Sequence, residues 1–332
     1  MTWGFLTFGD AAIGMGHVFR CLSLARAAKA ARPELKIEFL VDTGQKAFEI
    51  LKKSGLAEVR MMPEDAKLSG EFEVLVVDRL ETPTGRLQDL KRHARCLVCL
   101  DDAGPGHFMA DISINALYPC LLPRPAGSVT DSRQGFEFLS LDPAFARAGY
   151  QVRHPVRELF LTQGGADTYG LVPKLVEGLA PWLLRHSQAT LHIHTGPAFE
   201  FERELSAVLE NAKFNWQRHR DIGDMPSLLA GMDVAVSSAG MMAFELASAG
   251  VPVILVTGES KEVPVASRLE ACGSAVSLGY FDDNSIDRLL LSLDRLSSDE
   301  ALRSKLSKTA RKMIDGQGIE RILAAIFQHI RG

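Results

Sequence analysis

The sequence predicts an α/β protein of two tandem units, each a parallel sheet covered by helices, and three observations predict it. Strand and helix signals alternate almost throughout. A glycine-bearing turn follows the opening strand of each half, around Gly14 and Gly16 and again at Gly164-Gly165. Between Leu117 and Arg157 the periodicity fades while Pro119, Pro123, Pro125, Pro143 and Pro155 accumulate, so this stretch reads as a connection between units. A chain of 332 residues exceeds the ~100–200 of one domain. The boundary is placed near 150, giving units 1–150 and 151–332, both Rossmann-like.

In chain order, Phe5 to Phe8 is an apolar run that reads as the first strand, and an Ala/Leu-rich helix begins near His17. Lys36 to Val41 is a strand, Gln45 to Lys53 a helix and Glu73 to Val77 a strand. A helix around Gly85 to His93 precedes the strand Arg95 to Leu100, and the short Asp111 to Asn115 closes this sheet as an edge strand. The alternation restarts at Glu158 to Thr162, followed by helix Leu171 to Leu184, strand Thr190 to His194, helix Glu200 to Glu210 and a short strand near Phe214 to Gln217. Helix Asp224 to Ala230, strand Asp233 to Val236, helix Met241 to Ala249 and strand Val253 to Val256 come next. Helix Val263 to Ala271 and strand Ala275 to Ser277 complete the second sheet, and helices Ile286 to Leu296, Glu300 to Ile314 and Ile319 to Ile330 end the chain. Open sheets of this kind bind ligands at the C-terminal ends of their strands, so the two units are expected to face a shared cleft.

Composition narrows the function classes. Hydrophobic residues make up 46% and charged residues 23%, values of an ordinary globular protein. A net charge of −4 speaks against nucleic acid or an anionic membrane as partner. No apolar run approaches the ~18 residues of a membrane helix, and the Met-Thr-Trp start lacks the basic flank of a signal peptide; the chain reads as cytoplasmic, a monomer or weak homodimer. Five cysteines form no disulfide framework, and Cys96-x-x-Cys99 sits in an apolar strand where core packing is the simpler role. His192-x-His194 lacks a third partner, so no metal is expected.

Chemistry concentrates at the turns. Gly14 and Gly16 permit a tight turn that uncovers backbone N–H groups. His17 falls at the head of the following helix, where the dipole disfavours imidazolium, and a neutral imidazole can act as general base; capping the helix is the plainer alternative. Asp78 ends one strand and Asp101-Asp102 another, so three carboxylates are expected on the rim that holds His17. In the second half, Ser237-Ser238-Ala239-Gly240-Met241-Met242 opens a helix after a strand, a site for a diphosphate, with Glu245 a turn further in as an acceptor for ribose hydroxyls; Ser238 as a simple cap fits the spacing equally. Gly164-Gly165-Ala166-Asp167 is a similar loop, with Asp167 also suited to capping.

Ile13-Gly14-Met15-Gly16-His17-Val18-Phe19-Arg20-Cys21-Leu22 resembles the N-terminal signature of the UDP-sugar hydrolase of the pseudaminic-acid pathway and its relatives, the spore-coat polysaccharide proteins. The likeness recurs at Asp101-Asp102, Ile114-Asn115, Gly135 to Phe145, Gly164 to Asp167, the 237–245 stretch, and Asp315-Gly316-Gln317-Gly318 with Arg321. The resemblance implies the two-domain GT-B architecture, related to the N-acetylglucosaminyltransferase of peptidoglycan synthesis. It further implies a UDP-amino sugar as small-molecule partner, its nucleotide held by the C-terminal unit. His17 and Asp78 are the catalytic candidates it suggests, with inversion at the anomeric carbon and no metal or cofactor. Arg20, Asn115, Met241 and the loop residues above are its binding candidates. Met242 stands where relatives usually carry a hydroxyl, Lys261-Glu262 replaces an Asn-Gln pair, and Asp78 is followed by Arg79-Leu80 instead of a Ser/Tyr pair.

Hydrolase and glycosyltransferase stay open, because water and an acceptor hydroxyl need the same base. A nicotinamide-dependent oxidoreductase is the alternative from another class: Gly14-x-Gly16 and Asp42 imitate its fingerprint, although Phe19 fills the place of the third glycine. A non-catalytic sugar-nucleotide binder is a third.

Overall fold

The computed structural model describes residues 1–9, 15–42, 44–63, 65–117 and 122–331. They form two compact units: the first holds the described chain up to Asp142 together with the C-terminal segment from Gly316, and the second holds Pro143–Asp315.

The first unit contains strands β1 (Thr2–Thr7), β2 (Lys36–Val41), β3 (Glu58–Met61), β4 (Phe72–Asp78), β5 (Ala94–Leu100), β6 (Ile112–Asn115) and β7 (Asp131–Gln134). Helices α1 (Gly16–Ala31), α2 (Gln45–Lys53) and α3 (Thr84–Lys91) connect them. The sheet runs β3-β2-β1-β4-β5-β6-β7 with every neighbouring pair parallel. Central β4 and β5 are near-continuous apolar runs, Val74 to Val77 and Cys96 to Leu100, because both faces of a parallel strand are covered. Cys96 and Cys99 are fully buried in this core.

The second unit contains β8 (Glu158–Thr162), α4 (Leu171–Arg185), β9 (Thr190–His194), α5 (Glu202–Glu210), β10 (Asn215–His219), α6 (Met225–Ala230) and β11 (Val234–Ser237). It continues through α7 (Met241–Ala249), β12 (Val253–Thr257), α8 (Val263–Ala271), β13 (Val276–Tyr280), α9 (Ser285–Ser298) and α10 (Glu300–Met313). The order is β10-β9-β8-β11-β12-β13, again parallel throughout. Leu159, Leu161, Val234, Val236, Ile254 and Val256 pack with apolar residues of α4 and α9. Phe160, Ala235 and Leu255 alternate with them, face the opposite side and are also fully buried.

Both sheets reverse direction of growth at one point, between β1 and β4 and between β8 and β11. At such a switch point the connections leave toward opposite sides and open a crevice at the strand C-termini.

Four features differ from the expectations. Strands β3 and β7, Glu-Val-Arg-Met and Asp-Ser-Arg-Gln, are the sheet's outer strands; they are largely solvated, β3 alternates only two apolar residues and β7 has none. Consequently β6, expected at the edge, is interior and buried along its length. Residues 131–142, read as connection, belong to the first unit, which ends at Asp142 and not near 150. The last helix, α11 (Gly318–Arg331), belongs to the first unit: Ile319, Ile322, Leu323, Ile326 and Ile330 are buried, Phe327 packs 5.7 Å from Trp3, and Arg95 Nη2 donates to Ile330 O at 2.9 Å. Local pattern cannot reveal such a return, because the amphipathic stripe is the same whichever sheet it covers.

Candidate functional site

Each switch point gathers polar residues. In the first unit α1 starts at Gly16 and places His17 in its opening turn; Gly14 lies outside the described residues. The His17 ring is 9% exposed and stacks on Phe8 with ring centroids 4.3 Å apart. Its Nδ1 lies 2.6 Å from Asp78 Oδ1, at the end of β4. Arg20 is one turn further along the same helix face. Its Nε donates to Asp78 Oδ2 at 2.5 Å, Nη2 to Asp78 Oδ1, and Nη1 to Asp101 Oδ2 at 2.5 Å. Asp101, in left-handed backbone geometry (φ 50°), accepts the N–H groups of Ala116 and Leu117 on its other oxygen, both at 2.7 Å.

The electrostatics follow from burial against pairing. Burial pushes the Asp78 carboxyl up, but Arg20 first and His17 next outweigh it and hold it at about 2. Burial works against the Arg20 charge, yet Asp78 and Asp101 leave its guanidinium more strongly protonated than usual. Burial raises Asp101, partly offset by Arg20 and its two backbone donors. An ionised Asp78 can only accept, so Nδ1 of His17 carries the proton, and Nε2 is left as the ring's acceptor. Arg20 Nη2 lies 3.0 Å from that Nδ1, and since guanidinium cannot accept, the shared Oδ1 receives both. The result is a carboxylate-oriented imidazole, the arrangement of a general base.

His17, Asp78, Arg20 and Asp101 are therefore one cluster, but Arg20 is 3% exposed with its donors turned to carboxylates, so it acts through them. Asp102, expected on the same rim, turns instead to the N–H groups of Thr82 (3.2 Å) and Gly104 (2.9 Å). Asn115 is 2% exposed and bonded to Asp102 O and Ser113 Oγ, so it braces that loop.

In the second unit the loop after β8, the loop before α7 and the turn after β12 line one pocket with Gln163, Asp167, Thr168, Tyr169, Ser238 and Glu262, whereas Gly164, Gly165, Gly240, Met241 and Lys261 are not among its lining residues. Gly164 (φ 74°) and Gly165 turn the chain there, and Gly196 abuts Gly165 so closely that a Cβ on Gly196 would lie 2.4 Å from its Cα. Asp167 caps α4: its two oxygens accept the N–H groups of Leu171 (2.8 Å) and Val172 (2.9 Å). Burial nevertheless raises its carboxyl to about 6 against those two donors. Gly240 precedes α7 without a side-chain cap. Met242 turns into the core at 8% exposure, so only its backbone can meet a ligand, and Glu245 is half-buried one turn into α7 and is not among the residues lining the pocket. Lys261 is exposed and pairs with Glu259 at 2.5 Å.

Sequence reasoning passed over Gln163, Thr168, Tyr169 and Glu259, all lining residues. Gln163 could have been found, as the residue just before the first loop glycine at a strand end. Its Nε2 is buried without a hydrogen-bond partner.

Asp42, which a dinucleotide site needs for its ribose, is 5% exposed and paired with Arg79 at 2.6 Å. His192 bonds to Glu158 (2.6 Å) and His219 (2.9 Å), and His194 to Thr162 (3.0 Å), so these histidines hold one another and their strands. Among the described residues one trio, Cys96, Asp111 and His329, brings potential ligand atoms within 4.8 Å of each other. The Lys91 ammonium already neutralises Asp111 there, and burial raises the Cys96 thiol to about 12, so the trio is poorly disposed to a cation.

No family model matches the chain. It is similar to the spore coat polysaccharide biosynthesis protein SpsG of Bacillus subtilis, 24% identical over 324 residues, covering 94% of each chain. It is also similar to the uncharacterized protein MJ1062 of Methanocaldococcus jannaschii, 22% identical over 76% of this chain and 54% of that one. Among solved structures, MurG of Acinetobacter baumannii superposes with a TM-score of 0.66 at 14% identity, covering 99% of this chain and all of that one. The calicheamicin glycosyltransferase CalG4 gives a TM-score of 0.66 at 16% identity, with 99% and 98% covered. The fold is that of the GT-B glycosyltransferases, and the likeness to spore-coat polysaccharide proteins read from the motifs extends over nearly the whole chain.

Proposed function

We propose that this chain is an enzyme of surface-polysaccharide biosynthesis that hydrolyses a nucleotide sugar, with a UDP-amino sugar as the leading substrate class. The observation that carries the proposal is the 2.6 Å bond between His17 Nδ1 and a buried, ionised Asp78. The second-unit pocket would hold the nucleotide, with the N–H groups of Gly240 and Met241 at the head of α7 directed to the diphosphate. Ser238 would line its wall, and Gly164 and Gly165 would turn the chain between the lining residues Gln163 and Asp167. His17 Nε2 takes a proton from water as the water oxygen bonds to the anomeric carbon from the face opposite the diphosphate. The bond from that carbon to the phosphate oxygen breaks, its electron pair leaves with UDP, and the anomeric centre inverts. Asp78 keeps the ring oriented and stabilises the imidazolium that forms.

The same base would serve an acceptor hydroxyl, and the fold shared with glycosyltransferases favours sugar transfer as the second reading. A thermal-shift panel of UDP-, CMP-, GDP- and ADP-linked sugars tests both, since a ligand that binds only the folded chain raises its melting temperature. Stabilisation by UDP compounds is expected; stabilisation by NAD and not by UDP would contradict the proposal. Counting free against transferred sugar then separates hydrolysis from transfer.

A further inference from the structure

Glu262 ends a short 3-10 turn, Ser260–Glu262, between β12 and α8, and its side chain lines the second-unit pocket. Its Oε1 lies beside Gly240, 3.6 Å from where a Cβ on that residue would sit. Gly240 leads directly into α7, a nine-residue helix with no side-chain cap and no acid in its first turn. A helix head of this kind presents unsatisfied N–H groups and the positive end of the dipole, which suit an anion. The Glu262 carboxyl is an internal acid already placed beside that helix head.

A second observation points to a ligand in the same pocket. Gln163 Nε2 has no hydrogen-bond partner, on a side chain only 8% exposed that lines the pocket with Ser238 and Glu262. A buried donor of this kind is satisfied by an incoming acceptor such as a phosphate or ribose oxygen.

The charges around Glu262 do not favour its ionised form. Glu259 repels it while pairing with Lys261, Asp167 adds another carboxyl to the pocket, and Tyr169 is the remaining titratable group there. The Ser238-Ala239-Gly240 loop contributes no titratable side chain. Burial first and Glu259 next raise the Glu262 carboxyl to about 7, against Lys261.

We propose that the ionised Glu262 carboxylate and the diphosphate of a nucleotide exclude one another at the head of α7, so that nucleotide binding takes up a proton at Glu262. The inference rests on reading this pocket as the nucleotide site. The proton comes from solvent, the carboxylate becomes a carboxylic acid, and no other bond changes; the neutral group can then donate its O–H to a phosphate oxygen. This chain would therefore bind its nucleotide in a pH-dependent way.

Isothermal titration of UDP into wild type, Glu262→Gln and Glu262→Ala at pH 6, 7 and 8, in buffers of different ionisation enthalpy, tests this. In wild type the Kd should rise up to about tenfold per pH unit above 7, with net proton uptake. Both variants should lose that uptake and bind UDP at pH 8 up to about tenfold tighter than wild type. UDP's own phosphate titrates alike in all three, so the difference belongs to Glu262. Variants that follow the wild-type pH curve, or wild type binding UDP without proton uptake, would overturn the inference and leave the nucleotide site standing. No UDP binding by any of the three would overturn both.

Discussion

At His17 the decisive relation is the one with Asp78, since the imidazole has an available acceptor nitrogen only while an ionised carboxylate holds the other. Asp78→Asn removes the charge that Arg20 and His17 both lean on, leaving a buried guanidinium held by the Asp101 carboxylate. Breaking a buried pair in this way costs about 3–5 kcal/mol. The Asp78 carboxyl is depressed to about 2, so its contribution is present above the ordinary value of 3.8 and lost as pH falls through about 2. Urea denaturation should therefore show a wide stability gap between wild type and D78N near pH 6 that narrows between pH 4 and pH 2. Turnover should fall by about 10²–10⁴ in the same variant, read from kcat with UDP affinity unchanged. At this scale much of the site was legible: Asp78 and Asp101 sit at strand ends, His17 in the first turn of α1 and Arg20 one turn beyond it. What could not be read was the division of labour. Nothing local tells Asp101, which holds Arg20, from its neighbour Asp102, which ties down a turn; the difference is which way a single strand end points each side chain.

The elements that carry the second site depend on how their ends are fastened. Asp167 satisfies two of α4's opening N–H groups, so Asp167→Ala should cost about 1–2 kcal/mol, measured by chemical denaturation. Its carboxyl is raised to about 6, so the folded state holds the proton more tightly than the unfolded chain. Stability should accordingly decline as pH rises from about 4 through 6, and Asp167→Asn should flatten that slope in a pH series of thermal melts. At the other end of the chain, a Cβ on Gly318 would lie 2.0 Å from the carbonyl oxygen of Leu139. Gly318→Ala should lower the melting temperature by several degrees, because backbone cannot yield as a side-chain tip can. Elements with apolar runs were read from sequence nearly to the residue, as β5 and β9 were. Strands β3 and β7 were missed because an outer strand of a parallel sheet buries little, and Asp-Ser-Arg-Gln gives no period to detect.

For the molecule as a whole, chain order and unit membership part company at Gly316. A fragment ending at Asp142 lacks the helix that buries Trp3 and the outer face of β5, so it should give poorly dispersed amide NMR spectra. Joining residues 316–332 to it should restore dispersion, whereas a well-dispersed spectrum of the short fragment would show that α11 is dispensable. Sequence reading anticipated two parallel sheets because each repeats strand, glycine turn and helix. It could not anticipate the crossing, since nothing in α11 itself names the sheet it covers. The central proposition is that the Asp78-oriented imidazole of His17 deprotonates the attacking hydroxyl at a nucleotide sugar's anomeric carbon. The most direct measurement is a ¹H NMR time course of a UDP-linked amino sugar with wild type and with His17→Asn, alongside UDP affinity for both. The expected result is inverted sugar and free UDP with wild type, and undiminished UDP binding without turnover in the variant; turnover by His17→Asn at the wild-type rate would contradict it.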